Sequence, residues 1–156
     1  MLKKLTYVLL VLITSIVFSC SKDNLEDEIN LMSNAELENN LFIQVNSHRE
    51  SLGLQPLKTS TIAKKYATSH SEYMANTKDL SHANFEERAK AIANETGANY
   101  IAENIASSYT SAQETLQSWL QSEGHKANLE GDYTHTGISV MHKQNGDYYY
   151  TQLFYK

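Results

Sequence analysis

Three polar stretches of this chain carry groups able to do chemistry. "LSHANFEER" brings His82, "IAENIA" brings Glu103 and "SWLQSEGHKANL" brings His125. Neutral imidazoles and a carboxylate are zinc ligands, and a catalytic zinc takes three protein ligands and a water. A carboxylate beside a histidine also favours imidazolium, so the same trio suits a buried hydrogen-bonded ion cluster. Spacing does not choose between the two. No His-Glu-x-x-His pair lies on one helix, and the three residues are remote in sequence. Nucleophilic chemistry needs an activated hydroxyl or thiol beside a base. Ser122 precedes His125 by three residues and Ser81 directly precedes His82, but neither sits in a Gly-x-Ser-x-Gly elbow.

These residues depend on the elements around them. Ser33 and Glu36 stand at capping-box spacing, which predicts a helix start there. Leu37, Leu41 and Val45 then recur every four residues, with Phe42 and Leu52 beside them and Gly53 at the expected end. A second helix is expected from about Thr59 to Asn76, with Ile62, Tyr66, Tyr73 and Met74 marking its apolar face. Ala63 and Ala67 lie next to that face and would allow close helix approach, and His70, which falls on it, reads as a hydrogen-bonded packing residue. A short helix is expected over Phe85–Ala93, closed near Gly97, and a short extended piece within "NYIAENIASSY". Ser111 and Glu114 predict a second capping box. Ala112, Leu116, Trp119 and Leu120 then form an apolar face that Gly124 should end.

The period changes at the C-terminus. "HTGISVMHK" and "DYYYTQLFYK" flank "QNGD", and Asn-Gly between strand-like runs is a strong hairpin signal. Tyr148, Tyr150, Gln152 and Phe154 share one face of the last strand; Tyr149, Thr151, Leu153 and Tyr155 share the other. Large side chains on both faces predict a sheet covered on both sides. The fold class is therefore α+β, a three-layer α-β-α sandwich with a small antiparallel sheet between helices.

The N-terminus reads as an export signal. Lys3 and Lys4 precede an apolar run from Tyr7 to Phe18, shorter than the roughly 20 residues that span a bilayer. "VFSC" resembles a bacterial lipobox, so residues 1–19 are expected to be a lipoprotein signal peptide and Cys20 the lipidated residue. Residues 20–32, acidic and without apolar period, read as a flexible tether, and residues 33–156 as the folded domain. Cleavage before Cys20 leaves 137 of the 156 residues, enough for one domain, and removing Lys3 and Lys4 takes the net charge from −5 to −7. That balance disfavours nucleic acid as a partner. Cys20 is the only cysteine, so no disulfide staples the domain.

The order and spacing of "NSHR", "ESLGLQPL", "LSHANFEER", "IAENIA", "SWLQSEGHKANL" and "YYYTQLF" resemble the CAP superfamily of cysteine-rich secretory, antigen 5 and pathogenesis-related proteins, in its short bacterial SCP-like extracellular branch. The resemblance covers roughly Asn39 to Tyr155. It implies an α-β-α sandwich in which two histidines and two acids meet in a central cleft. His82 and His125 match the histidines, and Glu103 matches the acid of the Gly-Glu-Asn segment, with Ala102 in place of glycine. The second acid is replaced by Ser122, which leaves a triad. The resemblance also implies that Asn46, Arg49 and Arg88 tie helices to loops; Ser122, as a hydroxyl partner, and Asn104 and Asn128, bonding loop backbones, are expected to support the cleft.

The expected protein is a membrane-anchored lipoprotein of the cell envelope, at the outer membrane or cell surface. Its cleft would bind a small or lipid-like ligand, or a divalent metal such as zinc held by His82, Glu103 and His125. The alternative is a metal-dependent hydrolase acting on peptide or cell-wall material. A third reading is an interaction domain with an inert cleft. The residues alone assign no enzyme.

Overall fold

The computed structural model describes residues 31–156. The expected signal peptide, Cys20 and most of the tether lie outside the described residues. Leu31–Ser33 already form strand β1, paired antiparallel with the last strand but one, so regular structure begins inside the stretch read as tether. Helix α1 spans Ala35–Ser51, and its cap is Asn34, whose side-chain oxygen accepts the Leu37 amide at 3.0 Å. The expected cap, Ser33, is instead the end of β1, and its hydroxyl turns to Glu38. Leu41, Val45 and Arg49 make the buried stripe of α1, while Leu52 lies outside it, 52% exposed. Gly53 follows the helix in the left-handed region (φ 75°), where glycine carries no side-chain penalty.

Strand β2, Lys58–Thr59, leads into α2, Thr61–Thr77, whose cap Ser60 accepts the Ala63 amide. The buried face of α2 is made by Ala63, Ala67, His70, Ser71, Met74 and Ala75. Met74 and His70 of the expected face are buried, Ile62 and Tyr66 pack half-buried at its edge, and Tyr73, 38% exposed, falls outside it. The reason is contact distance. A Cβ placed on Gly137 would stand 2.1 Å from the Lys64 nitrogen, so α2 lies directly on the sheet and only small side chains fit between them. Helix α3 runs Phe85–Thr96, a turn beyond the expected Ala93, and Gly97 ends it at φ 75°.

Strand β3 is Ile101–Ser107 and helix α4 is Ala112–Gln121, capped by Ser111 on the Glu114 amide. Gly124 does not end this segment. The chain turns at Ser122, and Gly124 and His125 lie inside a further helix, α5, Glu123–Leu129. Strands β4, His135–Lys143, and β5, Tyr148–Tyr155, form the expected hairpin. Its turn centres on Gln144 and Asn145, closed by the Gly146 amide on the Lys143 carbonyl at 2.8 Å, with Asn145 at φ 57°. The loop is thus longer than a two-residue Asn-Gly turn.

The sheet order is β1-β4-β5-β3, with β2 pairing parallel to β4. One face packs Val140, Tyr150 and Phe154 against Leu41 and Val45 of α1 and Leu116 and Trp119 of α4. The other packs Leu153 against Ala63, Ala67 and Ile92, and Tyr149 and Met141 against Met74. The three-layer reading from the alternating tyrosines therefore holds. Among the described residues no helix is long and apolar enough to cross a membrane.

Candidate functional site

The site grows from the open edge of the sheet. Among the described residues β3 pairs only with β5, so its outer carbonyls need partners from elsewhere. Trp119 Nε1–H donates to the Ile105 carbonyl at 3.0 Å, and Asn128 Nδ2 donates to the Glu103 carbonyl at 3.3 Å. These two bonds dock α4 and α5 on the edge that holds Glu103. Asn104 completes the joint: its Nδ2 donates to the His125 carbonyl at 3.0 Å, and its Oδ1 accepts from Asn128 at 2.9 Å. His125 is thereby set beside Trp119, with ring centroids 6.3 Å apart.

Glu103 is the centre. Its carboxylate is 1% exposed and receives two parallel bonds from Arg88, Nε to Oε2 and Nη2 to Oε1, both 2.9 Å. Such bidentate pairs are among the strongest polar contacts in proteins. Arg88 lies one turn before Ile92 on the buried side of α3, and its Nη1 also holds the Ala83 carbonyl at 2.6 Å. The loop carrying His82 is thus tied to the same guanidinium. His82 Nδ1–H donates to Glu103 Oε1 at 2.9 Å while its side chain stays 49% exposed.

His70 stands behind this group. It is 2% exposed, its Nε2–H donates to the Ser81 carbonyl at 2.8 Å, and it lies 3.9 Å from Glu103 Oε1. Burial lowers its pKa below the usual imidazole value, against the pull of Glu103. Burial also lowers the pKa of His125, with His82 adding to the effect. His70 is thus the hydrogen-bonded packing residue expected of it, and the partner that the sequence did not name is the Ser81 carbonyl of the His82 loop. A usable signal was present: an imidazole on the buried stripe of an alanine-lined helix must find a polar partner.

Of the residues singled out from sequence, His82 and Glu103 are joined directly, while His125 stands beside Trp119. Asn104 and Asn128 hold the backbone of this group. Ser122 is the corner between α4 and α5 and makes no side-chain capping bond. Ser81 turns its hydroxyl to Asp79 at 2.9 Å, away from His82. Arg49 is buried and donates to four carbonyls, including that of Leu129 at the end of α5 at 2.7 Å. Asn46 exchanges two bonds with the backbone of Leu57. Among the described residues, no group of three His, Cys, Asp or Glu side chains is arranged to hold a metal ion. The nearer chemical reason is that Glu103 already shares both oxygens with Arg88. His82 Nε2 and the His125 ring have no hydrogen-bond partner among the described residues.

Comparison with known proteins settles the kinship. The profile of the cysteine-rich secretory protein family matches residues 42–154. The chain belongs to the CAP family. The uncharacterized membrane protein YlbC of Bacillus subtilis is 36% identical over 108 residues, covering 67% of this chain but only 30% of that protein. Among solved structures, an outer surface protein of Borrelia burgdorferi superposes with a TM-score of 0.73 at 19% identity, over 81% of this chain and 96% of that one. An extracellular SCP-domain protein of Bacillus anthracis gives 0.66 at 26% identity, over 78% of this chain and 40% of that one. This CAP domain thus has relatives named as extracellular, outer-surface or membrane proteins. It corresponds to nearly all of the Borrelia chain and to a minor part of the two Bacillus proteins.

Proposed function

We propose that this CAP domain is exported and held at the cell envelope through lipidated Cys20, and that it binds a ligand at the two imidazoles of His82 and His125. The observation that carries the cleft reading is the Arg88–Glu103 pair. With its carboxylate neutralised by a guanidinium, Glu103 acts as the holder of His82. A histidine that donates Nδ1–H to a carboxylate presents a lone pair at Nε2, the usual arrangement behind a metal-ligating histidine. His125, whose pKa burial lowers, offers a second one. A divalent ion such as zinc, completed by water, suits this pair. Bound there, the ion would supply Lewis acidity, and the chain's own part is to orient and desolvate the two rings. The neighbours named as outer-surface and extracellular proteins agree with an envelope location.

Zinc titration of the full chain tests this. His82→Ala and His125→Ala should each weaken zinc binding. Glu103→Gln should weaken it by roughly 10–100-fold through lost orientation of His82. If neither histidine substitution changes zinc affinity, the metal reading fails. A metal-dependent hydrolase would further show turnover lost to both His125→Ala and chelation.

A lipid-like ligand has its own observation, away from the histidines. A cavity of about 430 Å³ lies between α1, α2 and β4, with Ala35, Phe42, Gly137 and Ile138 along it.

A further inference from the structure

A second concave surface lies on the outer side of the Arg88 cluster, in the groove between α2 and α3. Its volume is about 330 Å³. Tyr66 and Tyr73 form its α2 wall, seven residues apart and therefore on one helix face, about 10.5 Å along the axis. The Tyr73 ring stacks on buried His70, centroids 5.9 Å apart and planes within 10°, so its orientation is set before any ligand arrives. It remains 38% exposed.

The opposite wall is polar and uncommitted. Asn84 stands at the cap position of α3, where a side chain ordinarily accepts a helix amide from an extended backbone. Here it is left-handed (φ 57°, ψ 29°) and makes no capping bond. A non-glycine residue in that region stores strain, and its amide is left free to face the groove. Glu87 and Ser69 complete the rim, both exposed.

We propose that this groove binds a neutral saccharide. Among the described residues around the groove an anion finds its cations engaged: Arg88, at the floor, directs its guanidinium to Glu103 and Ala83, and Lys65, over the Tyr66 ring, is paired with Glu95. A purely apolar ligand would desolvate Asn84, Glu87 and Ser69 without pairing them. An extended peptide finds no open ladder, since both walls are helices whose backbone groups are bonded internally. A pyranose meets all the terms: its C–H face lies on the fixed tyrosine ring, and its hydroxyls donate to Glu87 and exchange bonds with Asn84 and Ser69. The inference goes beyond the two-imidazole reading and does not depend on it.

Saturation-transfer NMR on the full chain, with cellotriose and chitotriose as probes, tests the proposal. Saturation should pass to the ring C–H protons of at least one trisaccharide and vanish in Tyr73→Ala. Asn84→Gly is the decisive variant, since glycine adopts the left-handed backbone freely. It should weaken binding roughly tenfold while leaving the unfolding temperature unchanged or raised. No transfer to either probe, or transfer that persists undiminished in both variants, would overturn the proposal.

Discussion

Two buried arginines, one on α1 and one on α3, act differently. Arg49 meets only backbone carbonyls, those of Gln55, Leu129, Gly131 and Tyr133, at 2.7 to 3.5 Å. Burial lowers its pKa, partly countered by Asp132. Arg88 meets a carboxylate as well as a carbonyl. Neutral acceptors give Arg49 control over the path of the chain between α5 and β4. A charged acceptor gives Arg88 control over what Glu103 can do. The same side chain is thus a shape-setting residue at one place and a charge-setting residue at the other.

The comparison predicts unequal rescue. Arg88→Met strands a buried carboxylate and should cost about 3–5 kcal/mol of stability. Adding Glu103→Gln removes the stranded charge and should restore a large part of that loss. Arg49→Met should cost about 2–3 kcal/mol, because it leaves buried carbonyls without donors, and Glu103→Gln should do nothing for it. Denaturant unfolding of the four variants and the parent measures this. Equal rescue of both arginine variants by Glu103→Gln would break the comparison.

A smaller effect concerns pH. Burial holds the folded pKa of His70 below the unfolded value of about 6.5. Between those two values the unfolded chain binds more protons, so stability rises with pH there. The contribution is full above about pH 6.5 and is lost progressively as pH falls towards the folded pKa. His125, lowered for the same main reason, adds with the same sign. His70→Gln, which keeps a donor for the Ser81 carbonyl, should flatten this acid limb in unfolding curves taken across that range. An unchanged slope would show that His70 is not held neutral by the fold.

The layered fold was legible because both faces of β5 carry large side chains, and only a sheet covered twice accommodates that alternation. The helix boundaries at Ser111 and Gly97 were legible because capping is local. The failures were tertiary. On α2 the centre of the buried face lies on Ala63 and Ala67 rather than on Tyr66 and Tyr73, since the close approach at Gly137 admits only small side chains there. Gly124 looked like a helix end, yet the chain had already turned at Ser122, whose extended backbone no composition rule announces. At the site, residue types and order pointed to His82, Glu103 and His125, but not to who neutralises Glu103. That depends on Arg88, one turn before Ile92 on a helix remote from β3, and on His70 behind it.

The central claim is that Glu103, paired with Arg88, fixes the His82 ring with Nδ1 protonated and Nε2 open. Nitrogen-15 NMR of the histidine side chains reports this directly in the full chain, at a pH where imidazoles are neutral. His82 should show a protonated Nδ1 and a lone-pair Nε2, shifting to a mixture of tautomers in Glu103→Gln. A His82 ring carrying its proton on Nε2 in the unmodified chain would contradict the account.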